Sequence, residues 1–84
     1  MKNKILIELI VPDIYEVYNL FIPVNRKIGN VIELLNKAVN ELSNNSYIGT
    51  NKTNLYSKKT GVKYDVNSLV RETDIKQGSK LILL

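Results

Sequence analysis

A change in the spacing of apolar residues near position 28 restricts most strongly how this chain can fold. Before it, residues 4–11 and 17–22 read as strands, in which every second residue lies on the same face. In the first, Ile5, Ile7 and Leu9 share one face, and Glu8 marks the opposite face as the wetter one. After it, apolar residues recur at steps of three and four, as in an amphipathic helix. The residues with this helical spacing are Ile28, Val31, Ile32, Leu35, Val39 and Leu42. Two strands and then a helix predict an antiparallel hairpin with one face covered by the helix.

Turn-forming and capping residues set the expected bounds of these elements. Pro23 ends the second strand because it has no N–H to donate to a ladder. Asn25 is the expected N-cap of the helix, and the polar run 43–46 is expected to end it near Leu42.

The second half of the chain is divided into shorter segments. Residues 54–58 and 61–65 are predicted to be short strands around a turn at Gly61, and residues 79–84 to be the last strand. The segment between them, residues 67–75, is a predicted loop with a helical turn near Ser68, which Leu69 and Ile75 would anchor to the core. The expected order is β-β-α-β-β-β.

The length of 84 residues leaves room for a single core, so the whole of residues 1–84 is expected to be one domain. The expected fold class is α+β, with one helix packed on a mixed sheet. The apolar runs of the chain are too short to span a bilayer. The N-terminal stretch is similar to the start of a signal peptide, but Glu8 interrupts its apolar residues. We therefore expect this stretch to be part of the mature protein.

The residue types present leave little room for catalysis. The chain has no Cys and no His, which removes most zinc sites, disulfides, thiol nucleophiles and His-based triads. Its four glycines are isolated, so no phosphate-binding loop is formed. The carboxylates near one another, Asp13 with Glu16 and Glu72 with Asp74, have no evident apolar cleft to raise their pKa. We expect no enzyme activity, no metal and no cofactor.

The net charge of +4 comes entirely from the second half of the chain. Four lysines there could form a basic surface: Lys52, Lys58, Lys59 and Lys63. We expect these lysines to form a solubilising surface and not a nucleic-acid site, because only Lys58 and Lys59 are adjacent and few aromatic residues alternate with the bases. The alternative is a small module that binds nucleic acid or another acidic partner, in which case binding would weaken steeply with salt.

Two segments carry a resemblance to a known family. The closing loop and last strand, Leu69 to Ile75 and then Gly78 to Leu83, resemble those of ubiquitin-like β-grasp folds. The strand-to-helix passage, Tyr18 to Pro23, four residues and then Ile28 to Ile32, resembles the YukD/EsaB-type ubiquitin-like proteins of bacterial type VII (WXG100) secretion systems. The resemblance implies a cytosolic accessory or regulatory protein that acts by contact with secretion components, without catalysis.

A ubiquitin-like modifier or sulfur carrier is the alternative within the same fold. Those proteins require a flexible C-terminal Gly-Gly for activation. Here Leu81 to Leu84 fall in the predicted last strand, which argues against conjugation or sulfur transfer.

The face of the sheet away from the helix is the candidate binding site. In a β-grasp the first and last strands are parallel neighbours, which would bring together apolar residues that alternation leaves outside. These are Leu6, Ile10, Tyr56, Ile82 and Leu84, with Val17 and Phe21 flanking and Lys58, Lys59 and Lys63 as a basic rim. A contiguous apolar patch of this kind usually marks a contact site. The expected partner is a secretion component or a second copy of the chain, and pairing through the second strand is a further route.

Overall fold

The computed structural model describes residues 3–84, and a four-stranded sheet covered on one face by a helix is its framework. The strands are β1 (Lys4–Val11), β2 (Glu16–Pro23), β3 (Leu55–Ser57) and β4 (Lys80–Leu83), and the helix is α1 (Ile28–Leu42). This confirms the predicted α+β class, the first strand and the end of the helix at Leu42. The second strand is one residue longer at each end than predicted.

The sheet has the order β2-β1-β4-β3. The β1–β2 pair is antiparallel, with Leu9 opposite Tyr18, and the two strands are joined by a 3-10 turn at Pro12–Ile14. The central β1–β4 pair is parallel, with Leu9 opposite Leu81, as the resemblance implied. The β3–β4 pair is antiparallel, so the sheet is mixed.

The core lies between the sheet and α1. Odd-numbered residues of β1 (Ile7, Leu9 and Val11) point into it, and Leu81 and Leu83 of β4 do the same. The apolar stripe of α1 is buried against them as predicted, except at its last member. Leu42 is 53% exposed, because the helix ends there with no further core to cover.

The start of α1 differs from the prediction. Asn25 is not the N-cap; that position is Lys27, and no side chain in the described part of the chain caps the helix. The first two N–H groups of α1 donate instead to the loop, from Ile28 to the Ser68 carbonyl at 2.8 Å and from Gly29 to the Val66 carbonyl at 3.0 Å. With those donors satisfied by the backbone, no capping side chain is needed.

The predicted strand at residues 61–65 was wrong. The segment makes one bridge to β3, between Tyr56 and Lys63, and does not continue as a strand. The N–H of Ser57 donates to the Val62 carbonyl, and the N–H of Tyr64 donates to the Leu55 carbonyl. β3 has only three residues, so a longer ladder has nothing to pair with. The predicted helical turn in the following loop is present as a 3-10 turn at Val70–Glu72, and Ile75 is buried.

Among residues 3–84 there is no helix with the length and apolar character needed to cross a membrane.

Candidate functional site

The outer face of the sheet carries one row of apolar residues that crosses all four strands. Val17 of β2 lies opposite Ile10 of β1, Ile10 lies opposite Ile82 of β4, and Ile82 lies opposite Tyr56 of β3. We call these four residues the apolar row. Because side chains alternate along a strand, their inward neighbours Leu9, Leu81 and Leu55 are fully buried while the row points away from α1.

The apolar row is accessible to solvent. Val17 is 56% exposed, and Ile10, Ile82 and Tyr56 are partly exposed. Leu84, the residue after β4, extends the row because it stays paired beyond the strand: its N–H donates to the Asn54 carbonyl at 3.0 Å, and the N–H of Asn54 donates to the Leu84 carbonyl at 2.8 Å. Four of the five predicted apolar site residues are therefore neighbours on one face.

Leu6 is the predicted residue that the structure places apart from the apolar row. It lies on the same face, opposite Phe21 of β2. Between this pair and the row runs a polar row, in which Glu8 lies opposite both Asn19 and Lys80. Alternation along a strand predicts which face a residue occupies, but the intervening Glu8 separates Leu6 from Ile10 within that face.

The predicted basic residues lie at two places near the apolar row. Lys63, through its bridge to Tyr56, stands at the end of the row. Lys58 and Lys59 follow β3 and are exposed, and the N–H of Lys58 donates to the Lys80 carbonyl at 3.0 Å. Lys52 precedes β3 and so lies toward the opposite end of that strand.

A polar cleft of about 610 Å³ lies between the turn after β3 and the loop before β4. Four of its lining residues are lysines, namely Lys58, Lys59, Lys76 and Lys80, and Asp74 is its one carboxylate. The Tyr64 hydroxyl donates to Asp74 Oδ1 at 2.8 Å. Burial, and then this bond to a carboxylate, raise the pKa of Tyr64 to about 12. The phenol is therefore protonated at neutral pH and holds Asp74 in place, and the cleft's excess of lysines favours anions.

No group of three or more Asp, Glu, Cys or His side chains within residues 3–84 is arranged to hold a metal ion.

Tyr47 is a structural residue that the sequence analysis did not single out. It is buried, and its hydroxyl donates to Asn36 Oδ1 of α1 at 2.9 Å. Its N–H donates to Ser43 Oγ, and its carbonyl accepts a hydrogen bond from Asn40. Burial raises the pKa of its phenol. A lone aromatic residue inside a polar loop has no periodic pattern to reveal it, although its size is a signal in a segment rich in Asn and Ser.

Comparisons with known proteins identify the fold. No family model matches the sequence, and no curated protein matches it either. Among solved structures, the chain is similar to the ubiquitin-like domain of the Mycobacterium tuberculosis type VII secretion system protein ECCD1. That match has 9% identity and a TM-score of 0.74, over 96% of this chain and 97% of that one.

Two further structures give the same result. The N-terminal ubiquitin-like domain of the 4931431F19Rik protein matches with 13% identity and a TM-score of 0.75, over 98% of this chain and 74% of that one. A chain of the MycP5-free ESX-5 inner membrane complex matches with 11% identity and a TM-score of 0.72, over 98% of this chain and 21% of that one. At such identities the likeness shows the fold alone: this chain has the ubiquitin-like β-grasp fold.

Proposed function

We propose that this protein is a non-catalytic, cytoplasmic accessory or regulatory protein of a type VII secretion system. It docks onto protein components of that machine through the outer face of its sheet. The observation that carries the proposal is the apolar row, which lies on a face that α1 does not cover.

The composition of this face suits the centre of a protein interface. The apolar row combines an aromatic side chain, Tyr56, with the aliphatic side chains of Ile10, Ile82 and Val17. Aromatic residues with aliphatic neighbours are typical of buried interface centres, and charged residues are typical of the rim. Lys63 and Lys58 occupy such rim positions beside Tyr56.

The choice of partner rests on two separate likenesses. The passage from Tyr18 to Ile32 resembles the YukD/EsaB-type proteins in sequence pattern. The solved structures with the same fold include a ubiquitin-like domain of one type VII secretion protein and a chain of an ESX-5 inner membrane complex. Both support a type VII component as the partner, and neither suggests chemistry.

A substitution at the middle of the row tests the proposal. Ile82→Asp places a carboxylate at the proposed interface centre, while Ile48→Asp makes the same change at a loop residue that is 77% exposed. Loss of a central interface residue costs about 2 kcal/mol or more, which weakens binding about 30-fold or more. Each variant is captured from lysate of the native cell beside the wild type, and its folding is checked by circular dichroism.

The expected result is that the wild type and Ile48→Asp recover the type VII ATPase or membrane components and that folded Ile82→Asp does not. Equal recovery by folded Ile82→Asp would overturn the assignment of the face. Failure of the wild type to recover type VII components would overturn the family.

Salt dependence separates this function from binding by the lysines of the second half. Docking through an apolar row should change little between 50 and 500 mM salt, whereas recovery of nucleic acid that falls steeply over this range would favour the basic surface.

A further inference from the structure

The two edges of the sheet differ in whether their outward backbone groups are paired. On the β3 side, residues 62–64 run beside the strand and pair with its backbone at Leu55 and Ser57. On the β2 side no strand of residues 3–84 follows, so the eight residues of β2 form an open edge. An open edge offers unpaired N–H and C=O groups to another strand.

Alternation shows which groups of β2 are free. The N–H of Val24 donates to the Asn3 carbonyl, so the even-numbered residues of β2 bond to odd-numbered residues of β1. The odd-numbered residues Val17, Asn19 and Phe21 therefore direct their N–H and C=O groups away from the sheet. Pro23 offers only a carbonyl.

The outward N–H and C=O groups of these three residues can pair with the same groups of a second copy of the chain. If two copies of β2 pair antiparallel about a two-fold axis at Asn19, then Asn19 faces Asn19 and Val17 faces Phe21 of the second copy. All three outward N–H groups and all three outward carbonyls then find partners. A shift in one direction brings Phe21 opposite Tyr15, whose backbone is left-handed with a φ of 54°. A shift in the other direction brings Val17 opposite Pro23. Only the register centred on Asn19 therefore pairs all the outward N–H and C=O groups of Val17, Asn19 and Phe21.

The side chains agree with this register. On the outer face, Val17 meets Phe21, an aliphatic–aromatic cross-strand pair that occurs twice. Val17 and Phe21 are 56% and 53% exposed in the single chain, so both have surface to bury. On the helix side, Tyr18 faces Leu20 of the second copy. Asn19 on the axis meets its own copy, and amide side chains can donate to one another.

Charge is also complementary across the axis. A groove of about 410 Å³ runs between β2 and α1, and Ile22, Leu34 and Arg26 are among its lining residues. In the same register, Glu16 of the second copy lies opposite Ile22 and so approaches Arg26 at the rim of this groove. The symmetry places this carboxylate–guanidinium approach at both ends of the paired strands.

We propose that the occupant of the β2 edge is a second copy of this chain, forming a two-fold dimer with one eight-stranded sheet. The two helices lie on the same side of that sheet. The apolar row then continues from Val17 to Phe21 and Leu6 of the second copy, which brings in the residue that stands apart in the single chain. This inference concerns the edge of the sheet and is independent of what docks on its outer face.

Sedimentation equilibrium between 10 μM and 1 mM tests the proposal. Pairing by one strand from each copy is much smaller than a standard interface, so we expect a dimer with a dissociation constant in the micromolar range. Asn19→Pro removes an N–H that β1 does not use, so the chain should stay folded while dimerisation weakens more than tenfold. As a second variant, Val17→Lys should also weaken dimerisation, and Val62→Lys, at a residue 62% exposed and remote from β2, should not.

Cysteine substitution tests the register, since the chain has no cysteine of its own. In the proposed dimer the two copies of residue 19 are a hydrogen-bonded pair about 5.5 Å apart at Cα, within disulfide range. The two copies of residue 17 are four positions apart, about 13 Å. Oxidation should link Asn19→Cys into a dimer and leave Val17→Cys unlinked.

Three outcomes would overturn the proposal. The wild type could remain monomeric at 1 mM. A dimer could survive Asn19→Pro but be lost in Ile82→Asp, which would place the contact on the outer face. Val17→Cys could also cross-link as readily as Asn19→Cys.

Discussion

Gly49→Ala should destabilise this protein, although a loop substitution of this type often does the opposite. The backbone of Gly49 is not left-handed, so alanine at such a position would ordinarily raise the free energy of unfolding by about 0.4–1 kcal/mol. Here, however, the loop crosses α1 so closely that an added Cβ would overlap the Asn36 side chain, including its Cβ. The loop or the helix must move to admit the methyl group.

The expected cost follows from the contacts at this crossing. Overpacking a close contact costs about 1–3 kcal/mol. Displacing Asn36 also weakens its bond from the Tyr47 hydroxyl, worth about 1 kcal/mol. After the gain from restricting the unfolded chain, the net loss should be about 2 kcal/mol. For a domain of this size that lowers Tm by about 10 °C.

Urea unfolding in two further backgrounds tests the cause. Asn36→Ala removes the amide but keeps the Cβ, so Gly49→Ala should still destabilise that variant. Asn36→Gly removes every overlapping atom, at a helix cost of about 1 kcal/mol of its own, and Gly49→Ala should then be neutral or stabilising. A stabilising Gly49→Ala in the wild type, or equal effects in the alanine and glycine backgrounds, would refute the close crossing of loop and helix.

Two other predictions concern stability. The pKa of Tyr64, raised to about 12, means that the unfolded chain loses this proton near pH 10 while the folded chain keeps it. Stability should therefore fall between pH 10 and 12, and urea titrations at pH 9 and 11 should show a smaller fall for Tyr64→Phe; an unchanged fall would contradict the assignment. Along α1, thermal unfolding should show that Val39→Ala, at a fully buried residue, costs about 2 kcal/mol, while Leu42→Ala costs less than 1 kcal/mol. Equal costs would show that Leu42 belongs to the core.

The spacing of apolar residues predicted the strands and the helix well, because this spacing and the face on which a residue lies depend on its neighbours in the sequence. Alternation along β1 assigned Ile7 and Leu9 to the core and Ile10 to the outer face, and helical spacing assigned five of the six stripe residues correctly. The errors arose where distant backbone decides the outcome. Asn25 does not cap α1, because carbonyls of the loop some 40 residues later satisfy the first N–H groups of the helix.

In the candidate site, too, the sequence predicted the face on which a residue lies but not its neighbours on other strands. The face on which Tyr56 and Ile82 lie follows from alternation, but their adjacency to Ile10 depends on the parallel β1–β4 pairing, which was expected only from the resemblance. The separation of Leu6 from the apolar row depends on register, which places Glu8 beside Lys80. No sequence pattern predicts the Tyr47–Asn36 contact, because tertiary packing determines where the loop crosses α1.

The parallel pairing at the centre of the sheet has a consequence for synthesis on the ribosome. Leu6 and Gln77 are joined by a hydrogen bond across 71 positions of the chain, and β4 lies between β1 and β3. A nascent chain that has reached only α1 therefore has two of the four strands, so the apolar stripe of α1 has only half of the sheet to pack against. At a synthesis rate of roughly 5–20 residues per second, β4 is made several seconds after α1. Ribosome-bound chains arrested before β4 should be cut throughout by protease, whereas protection on arrest at α1 would show that the hairpin and helix fold without it.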